Sequence, residues 1–256
     1  MDNPYMPIQK KILKTRNYGN NRLIRIECDD NPDPGQFYQL SVPGYGECPI
    51  SVCSNNEKYV EFCIRNVGTV TEKLVELKKG EELLVRGPYG KGYPKDIDDK
   101  ELIIIAGGTG AAPVRSLIQY GGEKAREISI FLGFRNYDEI IFKEDIKKWE
   151  KDHEVRVTLD NKDKRWKGKV GVVTELLSDV KKTKGGIAVV CGPPVMIKFV
   201  VKELMKKGFK SKDIYVSFER LMHCGMGHCG HCMIDSKYVC KDGPVFRYDI
   251  AKFLKD

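Results

Sequence analysis

No stretch of this sequence approaches the roughly 18 uninterrupted apolar residues that cross a bilayer as a helix. The longest run, Leu102 to Ala106, stops at Gly107, so no membrane insertion is expected. Met1-Asp2-Asn3-Pro4 has no basic stretch leading into an apolar core, which argues against a secretory signal and for a cytoplasmic location. An even cysteine set is missing too. The nine cysteines are odd in number and come without a secretion signal, so a disulfide framework is not expected. There is no phosphate-loop lysine, and nucleoside triphosphate hydrolysis is not indicated. Nor is there a basic face interleaved with aromatics. The net charge of +8 comes from lysines mixed with acids, as in Lys143-Glu144-Asp145. The densest basic stretches are Lys181-Lys182-Thr183-Lys184 and Lys206-Lys207-Gly208-Phe209-Lys210. Solvated surface is the reading, with no nucleic-acid partner; a weak basic surface would suit an acidic protein partner.

What is present is ordinary globular material, 41% apolar and 31% charged over 256 residues, enough for two packed domains and a small appendage. Residues 1–97 read as short alternating strands, among them Leu23–Cys28, Phe37–Val42 and Tyr59–Ile64. Asp33-Pro34-Gly35, Pro43-Gly44 and Gly87-Pro88-Tyr89-Gly90 supply the breaks. One helix, Thr71–Leu77, interrupts the series, and an antiparallel β-barrel is predicted. Over 98–217 buried strands (Leu102–Ala106, Ile128–Phe131, Val155–Leu159, Ile187–Cys191, Ile214–Ser217) alternate with helices at Pro113–Tyr120, Phe142–Trp149 and Val195–Lys206. That alternation predicts a doubly wound parallel sheet, an α/β nucleotide domain. Residues 218–256, rich in Gly, Cys and His, form a third, small domain.

Five cysteines (Cys28, Cys48, Cys53, Cys63, Cys191) are dispersed, where a buried hydrophobe is the default. The other four crowd into the tail: Cys224-Gly225-Met226-Gly227-His228-Cys229-Gly230-His231-Cys232, then Cys240 after seven residues. The spacing C-x4-C-x2-C is that of plant-type [2Fe–2S] proteins. A loop that aims thiolates at two irons needs unusual dihedrals, which Gly225, Gly227 and Gly230 allow. The alternative is a four-cysteine zinc site, but zinc ligands usually come as two C-x2-C hooks and only Cys229/Cys232 supplies one. With four thiols sufficient, His223, His228 and His231 read as packing or hydrogen-bonding neighbours.

Two further motifs have two readings each. Leu102–Ala106 runs into Gly107-Gly108-Thr109-Gly110-Ala111-Ala112-Pro113. Such a turn either cradles a pyrophosphate at a helix N-terminus or is merely a tight connection. Cys191-Gly192-Pro193-Pro194-Val195-Met196 follows a later strand, where a crevice ligand would lie, which favours the first. Gly68-Thr69-Val70-Thr71 is an anion site or an ordinary N-cap.

In this order the segments resemble the ferredoxin–NADP reductase superfamily, in its branch of FAD-containing subunits with a C-terminal [2Fe–2S] domain. The resemblance runs from Asn3-Pro4-Tyr5 to Asp242-Gly243-Pro244-Val245-Phe246 and includes Ser217-Phe218-Glu219-Arg220. The branch holds dihydroorotate dehydrogenase electron-transfer subunits, sulfhydrogenase gamma subunits and the B subunits of anaerobic sulfite reductases. On Gly46-Glu47-Cys48-Pro49-Ile50-Ser51, Ile64-Arg65-Asn66-Val67-Gly68, Ala106–Gly110, Gly192-Pro193-Pro194 and the short gap before Cys240, the sequence resembles the last group most.

The resemblance implies that Pro49, Ile50 and Ser51 touch FAD, that Ile64, Arg65, Asn66 and Val67 line its isoalloxazine, and that Gly68, Thr69, Val70 and Thr71 hold its pyrophosphate. Cys48 and Ile50 stand where the superfamily has an arginine and an aromatic, with Arg65 the candidate replacement for the arginine. Gly107, Gly108, Thr109, Gly110 and Pro113, with Cys191, Gly192, Pro193 and Met196, would hold the nicotinamide nucleotide. Cys191 would serve by shape and not as a nucleophile. Arg135 would meet a 2′-phosphate or the adenosine phosphates, or be solvated; no acid follows at that strand tip. NADH is expected, NADPH being the alternative. Cys224, Cys229, Cys232 and Cys240 would ligate the cluster. The implied function is an oxidoreductase subunit that oxidises NADH through FAD and [2Fe–2S] and passes electrons to iron–sulfur and catalytic subunits, those of an anaerobic sulfite reductase. The alternatives are the sulfhydrogenase and dihydroorotate dehydrogenase subunits, and, from another class, a non-enzymatic iron–sulfur or zinc sensor. No side-chain acid or base is expected to be catalytic.

Overall fold

The computed structural model describes residues 3–122, 124–181 and 185–252. Met1-Asp2 and the Lys182-Thr183-Lys184 part of the basic stretch lie outside them. The chain divides into two compact units: the residues to Tyr93 with Glu219–Pro244, and Pro94–Phe218 with the residues from Val245. No helix among the described residues is long and apolar enough to cross a membrane.

In the first unit, strands β1 (Ile8–Tyr18), β2 (Asn21–Glu27), β3 (Phe37–Val42), β4 (Gly46–Asn56), β5 (Tyr59–Arg65) and β6 (Glu82–Tyr89) close a barrel in the order β1-β2-β5-β4-β3-β6. All its pairings are antiparallel. Two-residue periodicity turns Ile24 and Ile26, Tyr38 and Leu40, and Phe62 and Ile64 into one core. Helix α1 (Thr69–Glu76) caps that core with Leu74. It starts two residues before the expected Thr71. Strand β1 was not foreseen, because only Ile12 of its eleven residues is buried and most of the exposed ones, Gln9, Lys11, Lys14, Arg16 and Asn17, are polar.

In the second unit, β7 (Glu101–Gly107), α2 (Ala111–Gly121), β8 (Glu127–Phe134), α3 (Lys143–Asp152), β9 (Glu154–Leu159), β10 (Lys169–Val170), β11 (Ile187–Cys191), α4 (Pro194–Lys206) and β12 (Ile214–Ser217) follow in order. Strand β7 is buried along its whole length, as a central strand covered on both faces must be. After β12 the chain forms a two-stranded ribbon, β13 (Met233–Ile234) and β14 (Lys237–Tyr238), and one turn of helix, α5 (Val239–Asp242). It then adds β15 (Val245–Arg247) and α6 (Tyr248–Ala251). The sheet order is β10-β9-β8-β7-β11-β12-β15, parallel throughout except for the last pair. The segment after Phe218 therefore divides: Glu219–Pro244 groups with the barrel, and β15 edges the nucleotide sheet.

Candidate cofactor sites

The four tail cysteines gather in the first unit as two pairs. Cys224 and Cys229 lie within hydrogen-bonding reach of each other, as do Cys232 and Cys240. Backbone amides point at the sulfurs: Met226 and His228 donate to Cys224 Sγ at 3.5 and 3.3 Å, Gly227 to Cys240 Sγ at 3.1 Å, and Cys240 to Cys232 Sγ at 3.4 Å. Gly225, Gly227 and Gly230 all take positive φ, near +78°, the left-handed turns this wrapping needs. Burial works against the Cys224 thiolate, but the amides of Cys229, Met226 and His228 outweigh it and hold Cys224 below the ordinary thiol range. Cys240 is pushed the other way, by burial and by the Cys232 thiol beside it.

This arrangement bears on which metal group fits. Among the described residues, no three of these sulfurs come within 4.8 Å of one another. A single tetrahedral zinc, with Zn–S near 2.3 Å, would set all four about 3.8 Å apart. Two separate pairs instead suit two irons, one pair each. The residues present therefore fit a two-iron cluster, Cys224 and Cys229 on one side, Cys232 and Cys240 on the other. Cys232 and Cys240 are almost fully buried, whereas Cys229 is exposed.

The barrel holds this loop at both ends. Arg86 on β6 donates to Cys224 O at 3.0 Å and His223 O at 3.3 Å. Lys91 N donates to Gly243 O at 2.5 Å. Tyr5 Oη and His228 Nδ1 share a 2.7 Å hydrogen bond, which brings the N-terminal segment onto the loop. Neither Arg86 nor Tyr5 was expected at the cysteine loop, because their contacts to it join residues far apart in sequence.

The flavin candidates also lie together. Pro49, Ile50 and Ser51 are half-buried on β4, beside β5, whose end runs through Arg65 and Asn66 into α1. Val67, Gly68 and Thr69 are exposed at the helix start. Gly68 has an extended backbone, φ −176°, and no chain atom lies within 4 Å of a Cβ built there. The approach to the helix N-terminus is thus open, and the amides of Thr69 and Val70 have no intrahelical acceptor. That is a fit for a pyrophosphate. Two expectations need revision. The Ile64 side chain points inward to the barrel core, since it shares the inner face of β5 with Phe62, so only its backbone can face a flavin. The Thr71 hydroxyl is committed to capping: it donates to Gly68 O at 2.9 Å and accepts from the amides of Val67 and Gly68 at 3.0 Å. Cys48, in the place of the superfamily arginine, is pushed up to about 11 by burial and by Glu47. It is a neutral thiol and cannot balance a phosphate charge; Arg65, exposed at the end of β5, is three positions from Gly68.

In the second unit the register aligns Gly107 with Gly133 and Ala106 with Cys191. The carboxyl ends of β7, β8 and β11 thus open at one level, where the chain's order across the sheet reverses, the usual place for a ligand in such sheets. The two nucleotide turns pack on each other. A Cβ on Gly107 would overlap the Met196 sulfur, and one on Gly110 would overlap Cys191 O. Gly108 sits at φ +55° with open space around it. Thr109 follows in the same turn, Pro113 lies in the first turn of α2, where a missing N–H costs nothing, and Gly192 and Pro193 lead into α4. Arg135 is exposed just past β8. The structure adds a residue the sequence reading did not find: Asp160, at the tip of β9. Its amide donates to Phe134 O at 2.9 Å, and Asn161 N donates to Arg135 O at 3.1 Å, so the acid and Arg135 are neighbours. Partial burial raises the Asp160 carboxyl, Arg135 opposes the rise, and Glu139 adds to it.

Residues 104–202 match the oxidoreductase NAD-binding domain, and residues 219–251 match the iron–sulfur cluster binding domain of dihydroorotate dehydrogenase B. The sulfhydrogenase 2 subunit gamma of Pyrococcus furiosus is 36% identical over 96% of this chain and 96% of its own length. The probable dihydroorotate dehydrogenase B electron transfer subunit of Methanocaldococcus jannaschii is 36% identical over 90% of this chain and 85% of its own. Among solved structures, an NADH-dependent reduced ferredoxin–NADP oxidoreductase superposes with a TM-score of 0.80 at 26% identity, covering 94% of this chain and 88% of that one. The chain belongs to the ferredoxin–NADP reductase-like oxidoreductases in which an NAD-binding domain is followed by an iron–sulfur domain, and its cofactors are FAD, a nicotinamide nucleotide and an iron–sulfur cluster.

Proposed function

We propose that this chain is the NADH-oxidising electron-transfer subunit of a redox complex, of the kind represented by sulfhydrogenase gamma subunits, and that it hands electrons to iron–sulfur and catalytic partner subunits. The carrying observation is the pair of thiol pairs on the barrel unit, in a chain whose other unit has a glycine-lined nucleotide crevice. Bound here, a nicotinamide nucleotide and FAD would supply hydride-transfer chemistry and an iron–sulfur cluster one-electron transfer. The protein's own task is to hold and orient: Gly107 to Pro113 and Cys191 to Met196 for the nucleotide, Pro49 to Ser51 and Arg65 to Val70 for the flavin, four thiolates for the metal. The relatives support the sulfhydrogenase branch over the anaerobic sulfite reductase B subunit that the motifs had favoured. The dihydroorotate dehydrogenase subunit is the second reading, supported by similar identity over slightly less of the chain.

An anaerobic ultraviolet–visible spectrum tests the proposal. Purified protein is expected to show flavin bands over broader iron–sulfur absorption, both bleaching on stoichiometric NADH. A protein that holds only zinc, or stays oxidised with NADH and NADPH alike, would sink it.

The neighbouring Asp160 and Arg135 support NADH over NADPH. An ionised acid at that strand tip accepts from a ribose 2′-hydroxyl and repels a 2′-phosphate, while offsetting the nearby cation. In Asp160→Ala, the NADH-over-NADPH preference in kcat/KM is expected to fall by about tenfold, or ~1.4 kcal/mol. An unchanged ratio would remove Asp160 from the nucleotide site.

A further inference from the structure

We infer that Arg86 is a positioning residue for the iron–sulfur centre, one that fixes the first turn of the cysteine loop and sets how readily the centre accepts an electron. The inference rests on the cluster reading above. Arg86 is fully engaged. Its Nε and Nη2 pair with the two Glu47 carboxylate oxygens, Nη2 also donates to His223 O, and Nη1 donates to Cys224 O and to Tyr89 Oη at 3.0 and 3.3 Å. A guanidinium has five N–H donors in a fixed fork, and these five contacts use them all. The Arg86 side chain is only 4% exposed, against 27% for Glu47. Glu47 is anchored further by Ser41 Oγ, which donates to it at 2.9 Å.

The ion pair is therefore oriented. Its positive end reaches the backbone of Cys224, a ligand, and its negative end lies toward solvent. A buried cation beside a centre that gains negative charge on reduction favours the reduced form, because little water intervenes to screen it. Gln39, fully buried, also faces the carbonyls of Met222 and His223, though at 3.5 Å, so it does not replace the arginine.

The test is an anaerobic redox titration of the cluster, followed by electron paramagnetic resonance, on the whole protein and three variants. Arg86→Gln removes the cation and exposes the loop to an unpaired Glu47. It is expected to lower the cluster's electron affinity by about tenfold, ~59 mV for a one-electron couple. Glu47→Gln leaves the cation unbalanced and is expected to shift the potential the opposite way. Arg86→Lys, which keeps the charge without the fork, is expected to stay near wild type in potential and to lose iron faster on standing. A residue that served packing alone would not give shifts of opposite sign from the two halves of one pair. If Arg86→Gln fails to take up a cluster, Glu47→Gln and Arg86→Lys still decide. Equal potentials in all cluster-bearing proteins, or a Glu47→Gln shift that disfavours the reduced form, would overturn the inference. A wild-type protein without a cluster would instead overturn the iron–sulfur reading itself.

Discussion

Cys240→Ser protein, purified under anaerobic conditions, is expected to retain less than about a tenth of the wild-type iron, since even partners one step removed from a metal ligand change affinity tenfold or more. Cys240 is 1% exposed and stands beside Cys232, with the Gly227 amide donating to its sulfur. A serine there is both harder and far less acidic, and Cys28, Cys48, Cys53 and Cys63 are held in barrel strands or at their ends. Flavin content is expected to stay at the wild-type level, because the candidate flavin residues lie on β4, β5 and α1 and Cys240 on α5. Iron and flavin assays on the same preparation check both halves. Full iron with an unaltered spectrum would take Cys240 out of the ligand set.

The second large effect is expected at Gly110. Its φ of −59° suits any residue, so the restriction is one of space. A Cβ would run into Cys191 O and C and approach Gly192 Cα within 3.0 Å, all of them backbone atoms that cannot rotate away. Gly110→Val must push the turn off the end of β11 and spoil the approach to the helix N-terminus. NADH binding is expected to weaken about 100-fold, ~2.7 kcal/mol, and the nucleotide unit to lose about 1–3 kcal/mol of stability through overpacking. Calorimetric titration with NADH, alongside thermal unfolding and cofactor counts, separates loss of binding from loss of fold. Undiminished affinity in a folded variant would refute the placement of the nucleotide at this turn.

What the sequence made legible was local. Three of the four candidate cluster ligands sit five and three residues apart on one loop, with Cys240 eight residues further on in α5; the glycine turn joins a buried strand to its helix, and Ile187–Cys191 and Ile214–Ser217 are bounded as expected. What it hid was made by distant pairing. Arg86 meets Cys224 across 138 positions. Asp160 reaches Arg135 only because β8 and β9 run in register. Strand β1 carries too little apolar sequence to declare itself, and its place is set by hydrogen bonds to β2 and β6. Thr71 looked equally suited to phosphate or to a cap, and the turn geometry chose the cap. The branch of the family was the least legible, since the motifs that signal flavin, nucleotide and cluster are shared by subunits with different partners.

The division of the tail has a consequence for how such a protein can be taken apart. The last candidate cluster ligand, Cys240, is followed five positions later by the first residue of β15, whose antiparallel pairing covers the outer edge of β12. A truncation after Ser217 would thus do more than delete a metal centre. It would bare the backbone donors and acceptors of β12, the kind of open edge along which sheets of separate molecules join. The cysteine segment is spliced in rather than appended, and it cannot be trimmed off or transplanted as a self-contained cassette unless a substitute strand is left behind.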